Sequence, residues 1–135
     1  MKLFVDTSGW TSIFNDHDKY YERGVAAFQS LAGQDARFVT TDYVIDEALT
    51  NLKQRTDHQT AENFGVWVLQ AKNVRIIRID EIIWNAAWAM FQQYDDKDFS
   101  FTDCTSFVVM QQHKLRDAFS FDHHFEQMHF RLWPR

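Results

Sequence analysis

A chain of 135 residues that is 45% hydrophobic and 16% aromatic has material for one core, in one domain over residues 1–135, and is too apolar to stay disordered. Its formal net charge of −5 argues against gripping nucleic acid by bulk positive charge, yet leaves room for a nuclease whose metal neutralises local acid. One cysteine, Cys104, excludes an internal disulfide and suits a reducing cytoplasm; the acid at Asp6 comes too early for a signal peptide, and no apolar run approaches the ~20 residues that span a bilayer.

With one Pro and four Gly, few breakers interrupt the chain, and helix should dominate. Lys2 to Val5 reads as a short strand, apolar on both faces as in a buried parallel sheet. Ser8 or Thr11 can cap a short helix toward Phe14. Asp18 to Leu31 reads as helix, with Tyr21, Val25 and Phe28 on one face, and Gly33 suits its stop. Arg37 to Thr41 is a second strand. Asp42 can cap a helix from Tyr43 to Arg55, striped by Val44, Ile45, Ala48, Leu49 and Leu52. A further helix runs toward Lys72 with Phe64, Val68 and Leu69 inward. Val74 to Ile79 reads as a third strand, and Asp80 caps a helix from Glu81 to Tyr94. After a polar loop, Thr102 to His113 is helical, with Phe107, Val108, Met110 and Gln111 near the buried side. Ala118 to Phe121 is a fourth strand, Phe125 to Met128 a helical turn, and His129 to Leu132 a closing edge strand. Strands alternating with helices predict an α/β fold, a mostly parallel sheet of four to five strands covered on both faces. The working crevice of such a sheet lies outside the carboxyl ends of its strands.

Four acids stand at or near that crevice. Asp6 and Asp122 each end an apolar run, Asp103 opens a helix, and Glu47 flanks an apolar stripe. Each has a plain explanation taken alone. Asp6 and Asp122 are possible helix caps or turn formers, and Asp103 gains from a helix dipole. Glu47 is a possible surface residue, although Lys53 and Arg55 lie off the favoured i to i+4 spacing. Taken together, four acids in one crevice repel one another, and a hard divalent cation with oxygen ligands relieves that repulsion.

The opening Leu3-Phe4-Val5-Asp6-Thr7-Ser8 resembles that of PIN-domain ribonucleases. Ser100-Phe101-Thr102-Asp103-Cys104 and Ala118-Phe119-Ser120-Phe121-Asp122-His123-His124-Phe125 resemble the later acidic motifs of that family, and Glu47 falls where its helical Glu lies. The order covers nearly the whole chain, and the length is similar to toxins of VapC-type toxin–antitoxin pairs. The resemblance implies a three-layer α/β/α fold and Mg²⁺-dependent hydrolysis of RNA phosphodiesters, with Mn²⁺ able to substitute. It implies Asp6 and Asp103 as principal metal ligands and Asp122 and Glu47 as completing the site. Thr7 and Ser8 would add hydroxyls, and Ser120 would supply one where Thr is frequent. It also implies a cognate antitoxin, and a homodimer or a toxin–antitoxin hetero-oligomer. Cys104 departs from a frequent Ala without removing an acid.

Other features have plainer readings. Asp98, in the loop with Asp95 and Asp96, sits near enough in sequence to Asp103 to contribute weakly. His123 is a tempting general base, but carboxylates and metal suffice. His123, His124 and His129 imitate a zinc site without any supporting Cys pattern. A haloacid dehalogenase-type phosphatase needs an Asp where Ser8 stands, and a receiver domain needs an early acidic pair that is missing. Two alternatives stay open: an RNA-processing nuclease outside any toxin–antitoxin system, and a non-catalytic module that binds a partner through Trp10, Trp67, Trp84 or Trp88.

Overall fold

The computed structural model describes all 135 residues. Five strands, β1 (Lys2–Val5), β2 (Arg37–Thr41), β3 (Val74–Ile77), β4 (Asp117–Phe119) and β5 (Arg131–Trp133), form one sheet in the order β3-β2-β1-β4-β5. Every pairing is parallel. Seven helices cover it: α1 (Thr7–Phe14), α2 (Tyr21–Gly33), α3 (Asp42–Arg55), α4 (His58–Gln70), α5 (Glu81–Gln93), α6 (Phe101–Gln112) and α7 (His124–Gln127). The three-layer α/β/α arrangement expected from the sequence is therefore present, with its sheet parallel throughout. No helix is long and apolar enough to cross a membrane.

The aromatic residues fill both faces of the sheet. On one, Trp10 of α1 packs against Phe28 of α2 and against Phe64 and Trp67 of α4. Phe28 in turn meets Phe38 of β2 and Phe119 of β4. On the other, Phe4 of β1 stacks on Phe125 of α7, which meets Phe107 of α6. Trp10 is fully buried, so it belongs to the core and not to any partner surface. Trp67 is half-buried against it, while Trp84 and Trp88 are exposed.

Several boundaries differ from the sequence reading, each for a local reason. Asp6, not Ser8 or Thr11, caps α1 by accepting the Gly9 N–H at 2.8 Å. The Asp18 carboxylate accepts the Tyr20 N–H at 2.8 Å, forming a turn that delays α2 to Tyr21. β3 stops at Ile77 because its neighbour β2 ends opposite it at Thr41, and Asp42 takes the Ile79 N–H instead. β4 starts one residue early, at Asp117, whose carboxylate is held by Arg131 and by the Trp133 indole N–H. It ends at Phe119; the Ser120 N–H still donates to the Trp133 carbonyl at 3.1 Å, and the Phe121 N–H leaves the sheet for the Ser8 hydroxyl. Leu69 faces solvent because the buried row of α4 is Ala61, Phe64 and Val68, and one further residue turns away from it. Gln111 is exposed where α6 emerges from cover after Met110.

Candidate active site

β1 leads to β2 on one side while β4 lies on its other side, so the chain order reverses between β1 and β4. A doubly wound sheet opens a crevice at that point, outside the carboxyl ends of its strands. Here a cavity of about 220 Å³ is lined by eleven residues, of which only Val44 is hydrophobic. Asp6, Glu47, Asp103 and Asp122 all line it, with Thr7 and Ser8. No Lys or Arg stands in its wall.

Asp6 is 5% exposed at the end of the central strand. Its Oδ1 accepts the Gly9 N–H at 2.8 Å and the Ser8 hydroxyl at 2.9 Å, and its Oδ2 accepts the Ser120 hydroxyl at 2.7 Å. Each serine has one hydroxyl proton and gives it to Asp6, so the 3.3 Å contact between Ser8 and Ser120 oxygens has no proton left to share. The serine lone pairs accept main-chain N–H groups: Phe121 donates to Ser8 and Asp122 to Ser120, both at 2.9 Å. Those two bonds hold the 120–122 backbone over the end of β1. Burial pushes the Asp6 carboxyl up to about 7, with a smaller push from Asp122, even though three hydrogen bonds pull the other way.

Asp103 arrives on the first turn of α6. Ser100 and Asp103 cap each other reciprocally, the Asp103 N–H donating to the Ser100 hydroxyl at 3.0 Å and the Ser100 N–H to Asp103 Oδ2 at 3.1 Å. Burial raises its carboxyl above the ordinary range, the nearby Asp122 charge adds to this, and the Ser100 N–H and His124 oppose it. Asp122 lies beyond the end of β4, in the turn before α7, where its Oδ1 accepts the His124 N–H at 2.9 Å. Glu47, on α3, is exposed and accepts the Thr7 hydroxyl at 2.6 Å. One oxygen on each of Glu47, Asp103 and Asp122 accepts no hydrogen bond from the protein.

The structure gives His124, weighed from the sequence only as part of a zinc imitation, a place beside the acids, and adds residues not singled out there. His124 Nδ1 sits 3.0 Å from Asp103 Oδ2 and 3.2 Å from Asp122 Oδ1, so this nitrogen carries a hydrogen between two acceptors. His123, singled out from the sequence, is exposed and 3.9 Å from Asp122. Thr11, Asn51, Thr102 and Ser106 line the cavity, whereas His124 reaches it only through Asp103 and Asp122. Asn51 was findable, standing one helical turn from Glu47 on the same face of α3. Nothing local distinguishes His124 from His123; only the turn before α7 decides which ring faces inward. Asp98 does not line the cavity, and Cys104, buried beneath Asp103, has its thiol pushed up to about 11 by burial and by that charge.

Carboxylate and hydroxyl oxygens around this cavity make a donor set for a hard divalent cation. The tightest trio of ligating atoms is instead Asp122, His123 and His124, within 4.8 Å of one another. Neither His123 nor His124 lines the cavity, and His129 lies outside that trio. Asp6, Asp103 and Asp122 line the cavity together, and a hard cation held by a few carboxylates keeps part of its water shell.

The model of the PIN domain matches residues 3–131. The 23S rRNA-specific endonuclease VapC20 of Mycobacterium tuberculosis is 30% identical over 128 residues, 95% of each chain. A VapC ribonuclease of Archaeoglobus fulgidus is 28% identical over 127 residues, 93% of this chain and 80% of its own. The crystal structure of M. tuberculosis VapC20, a sarcin-ricin loop cleaving toxin, superposes with a TM-score of 0.88 at 27% identity, covering 95% of both chains. VapBC2 of Rickettsia felis, at 11% identity and a TM-score of 0.70 over 98% of this chain and 97% of its own, shares the fold.

Proposed function

The chain belongs to the PIN-domain family, and from that premise we propose that it is a divalent-cation-dependent endoribonuclease, the toxin of a toxin–antitoxin pair. The observation that carries this reading is the gathering of Asp6, Glu47, Asp103 and Asp122 in one polar cavity without a Lys or Arg. Burial raises the Asp6 carboxyl to about 7, and a divalent ion beside it would relieve that burden.

We assign Mg²⁺ to this cavity, with Mn²⁺ as a substitute. Asp6, Asp103 and Asp122 would hold it, and Glu47 would complete the acidic set directly or through water. A bound divalent cation supplies Lewis acidity toward water and toward a phosphate oxygen. The chain's own residues do the rest. Ser8 and Ser120 orient the Asp6 carboxylate and tie the 120–122 backbone to it. Thr7 fixes one Glu47 oxygen, and His124 steadies Asp103 against Asp122. The products of such hydrolysis carry 3′-hydroxyl and 5′-phosphate ends.

Large-subunit ribosomal RNA is the substrate class to test first, because VapC20 is named for cutting it. A cognate antitoxin is the partner we propose, on the ground that VapC20 is described as a toxin. Cleavage in the cytoplasm would arrest translation and growth. Purified protein should cut RNA with Mg²⁺ or Mn²⁺ and stop in EDTA; cutting at full rate in EDTA would overturn the reading.

A further inference from the structure

A second cavity, of about 580 Å³, shares Ser8, Thr11 and Asn51 with the acidic one. Its wall also holds Lys19, Tyr20, Arg55 and Phe121. Neither cation is spent on an ion pair; the Lys and Arg pairs of this chain are Lys97–Asp96 and Arg131–Asp117. Asp18 lines the same cavity, and its Oδ1 accepts the Tyr20 N–H. The Tyr20 and Phe121 rings lie 4.3 Å apart and 9° from parallel. Arg23 stands 5.6 Å from the Phe121 ring, and the Lys19 ammonium 4.9 Å from the Tyr20 ring.

A nucleic-acid strand entering the acidic cavity meets four carboxylates. A cation held there would answer the scissile phosphate, but the phosphates before and after it need their own counter-charges. Lys19 and Arg55 stand where the strand would leave the acids, and a stacked aromatic pair offers a flat partner to any base. An apolar helix of a protein partner fits less well, since only two of the ten residues lining this cavity are hydrophobic.

We propose that this groove binds the unpaired RNA nucleotides that flank the scissile phosphodiester, Lys19 and Arg55 holding phosphate and the Tyr20–Phe121 pair supporting a base. The proposal rests on the nuclease reading above and adds the place where the strand runs.

The test is binding of a fluorescent single-stranded RNA oligonucleotide to the full chain carrying Asp103→Asn, at several salt concentrations. Adding Lys19→Ala and Arg55→Ala should weaken binding roughly tenfold or more and flatten the log–log salt slope by roughly 1.4, two single-strand phosphate contacts. Tyr20→Leu should weaken binding about fivefold or more without changing the slope. Lys72→Ala with Arg75→Ala, at the amino end of β3, should change neither. In cleavage by the parent, the Lys19→Ala/Arg55→Ala pair should raise KM and spare kcat. Unchanged affinity and slope in that pair, in a chain that otherwise cuts RNA, overturns the groove assignment alone. So does a loss confined to a protein partner. A parent that neither binds nor cuts RNA overturns the nuclease reading and the groove with it.

Discussion

Ser120 donates its hydroxyl proton to Asp6 Oδ2 at 2.7 Å and accepts the Asp122 N–H at 2.9 Å, so one side chain joins the acid at the end of β1 to the acid beyond β4. It can do this because Ser120 directly follows β4, its N–H held by the Trp133 carbonyl, so its side chain stands at the carboxyl end of the sheet beside Asp6. Ser120→Ala removes a donor from a buried carboxylate and an acceptor from a main-chain N–H. It should cost about 1–3 kcal/mol of stability and raise the Asp6 carboxyl further. Urea unfolding of the metal-free protein measures this; a loss below about 0.5 kcal/mol would show that the bridge contributes little.

The approach of α1 to β4 is equally tight. A Cβ on Gly9 would overlap the Phe119 carbonyl oxygen and lie 2.8 Å from Val5 Cγ1. Gly9→Ala should therefore push α1, and the Asp6 cap with it, away from the sheet. We expect about 1–3 kcal/mol of destabilisation or more, and reduced cleavage, because neither neighbour is a flexible side-chain tip. A variant as stable and active as the parent contradicts the packing described.

Stability should also depend on pH in a particular sense. The Asp6 carboxyl stands at about 7 in the folded chain against an ordinary value of 3.8. Between those values the folded state keeps a proton that the unfolded state releases. The stabilisation is therefore complete below about pH 4 and lost as pH rises through about 7. Asp103, also raised by burial, acts in the same direction. Metal-free protein should melt at a lower temperature at pH 8 than at pH 5, and Asp6→Asn should reduce the difference. An equal difference in the variant would remove Asp6 as its source.

Divalent cation should reverse that trend, since it binds the deprotonated acids. Millimolar Mg²⁺ should raise the melting temperature of the parent at pH 8, more than at pH 5. Asp6→Asn should abolish the rise while retaining the α1 cap, because Asn caps helices as well as Asp does. A rise that persists in the variant would move the cation elsewhere on the chain.

The fold was legible in the sequence where hydrophobic pattern decides it. Leu3-Phe4-Val5 and the alternation with helices specify a buried parallel sheet, and Asp80 caps α5 as expected, whereas Thr41, not Asp42, caps α3 by accepting the Val44 N–H. The boundaries that escaped depend on contacts distant in sequence. Asp117 falls just outside the expected fourth strand, and Arg131 and Trp133 bring it in; Ile79 reads as strand until Asp42 takes its N–H. The site divides the same way. The four acids could be gathered from two strand ends and two helices, and they do line one cavity. The inward turn of His124 and the serine bridge of Ser8 and Ser120 rest on residues 112 or more positions apart, or on a turn with no local signal.

The most direct measurement is cleavage of purified RNA, ribosomal RNA first, by the parent, Asp6→Asn and Asp103→Asn, each with Mg²⁺ and with EDTA. The parent should cut only with the cation, and each substitution should reduce the rate about a hundredfold or more while the protein stays folded. Equal cutting by all three proteins, or undiminished cutting in EDTA, would contradict the acidic cavity as the seat of the reaction.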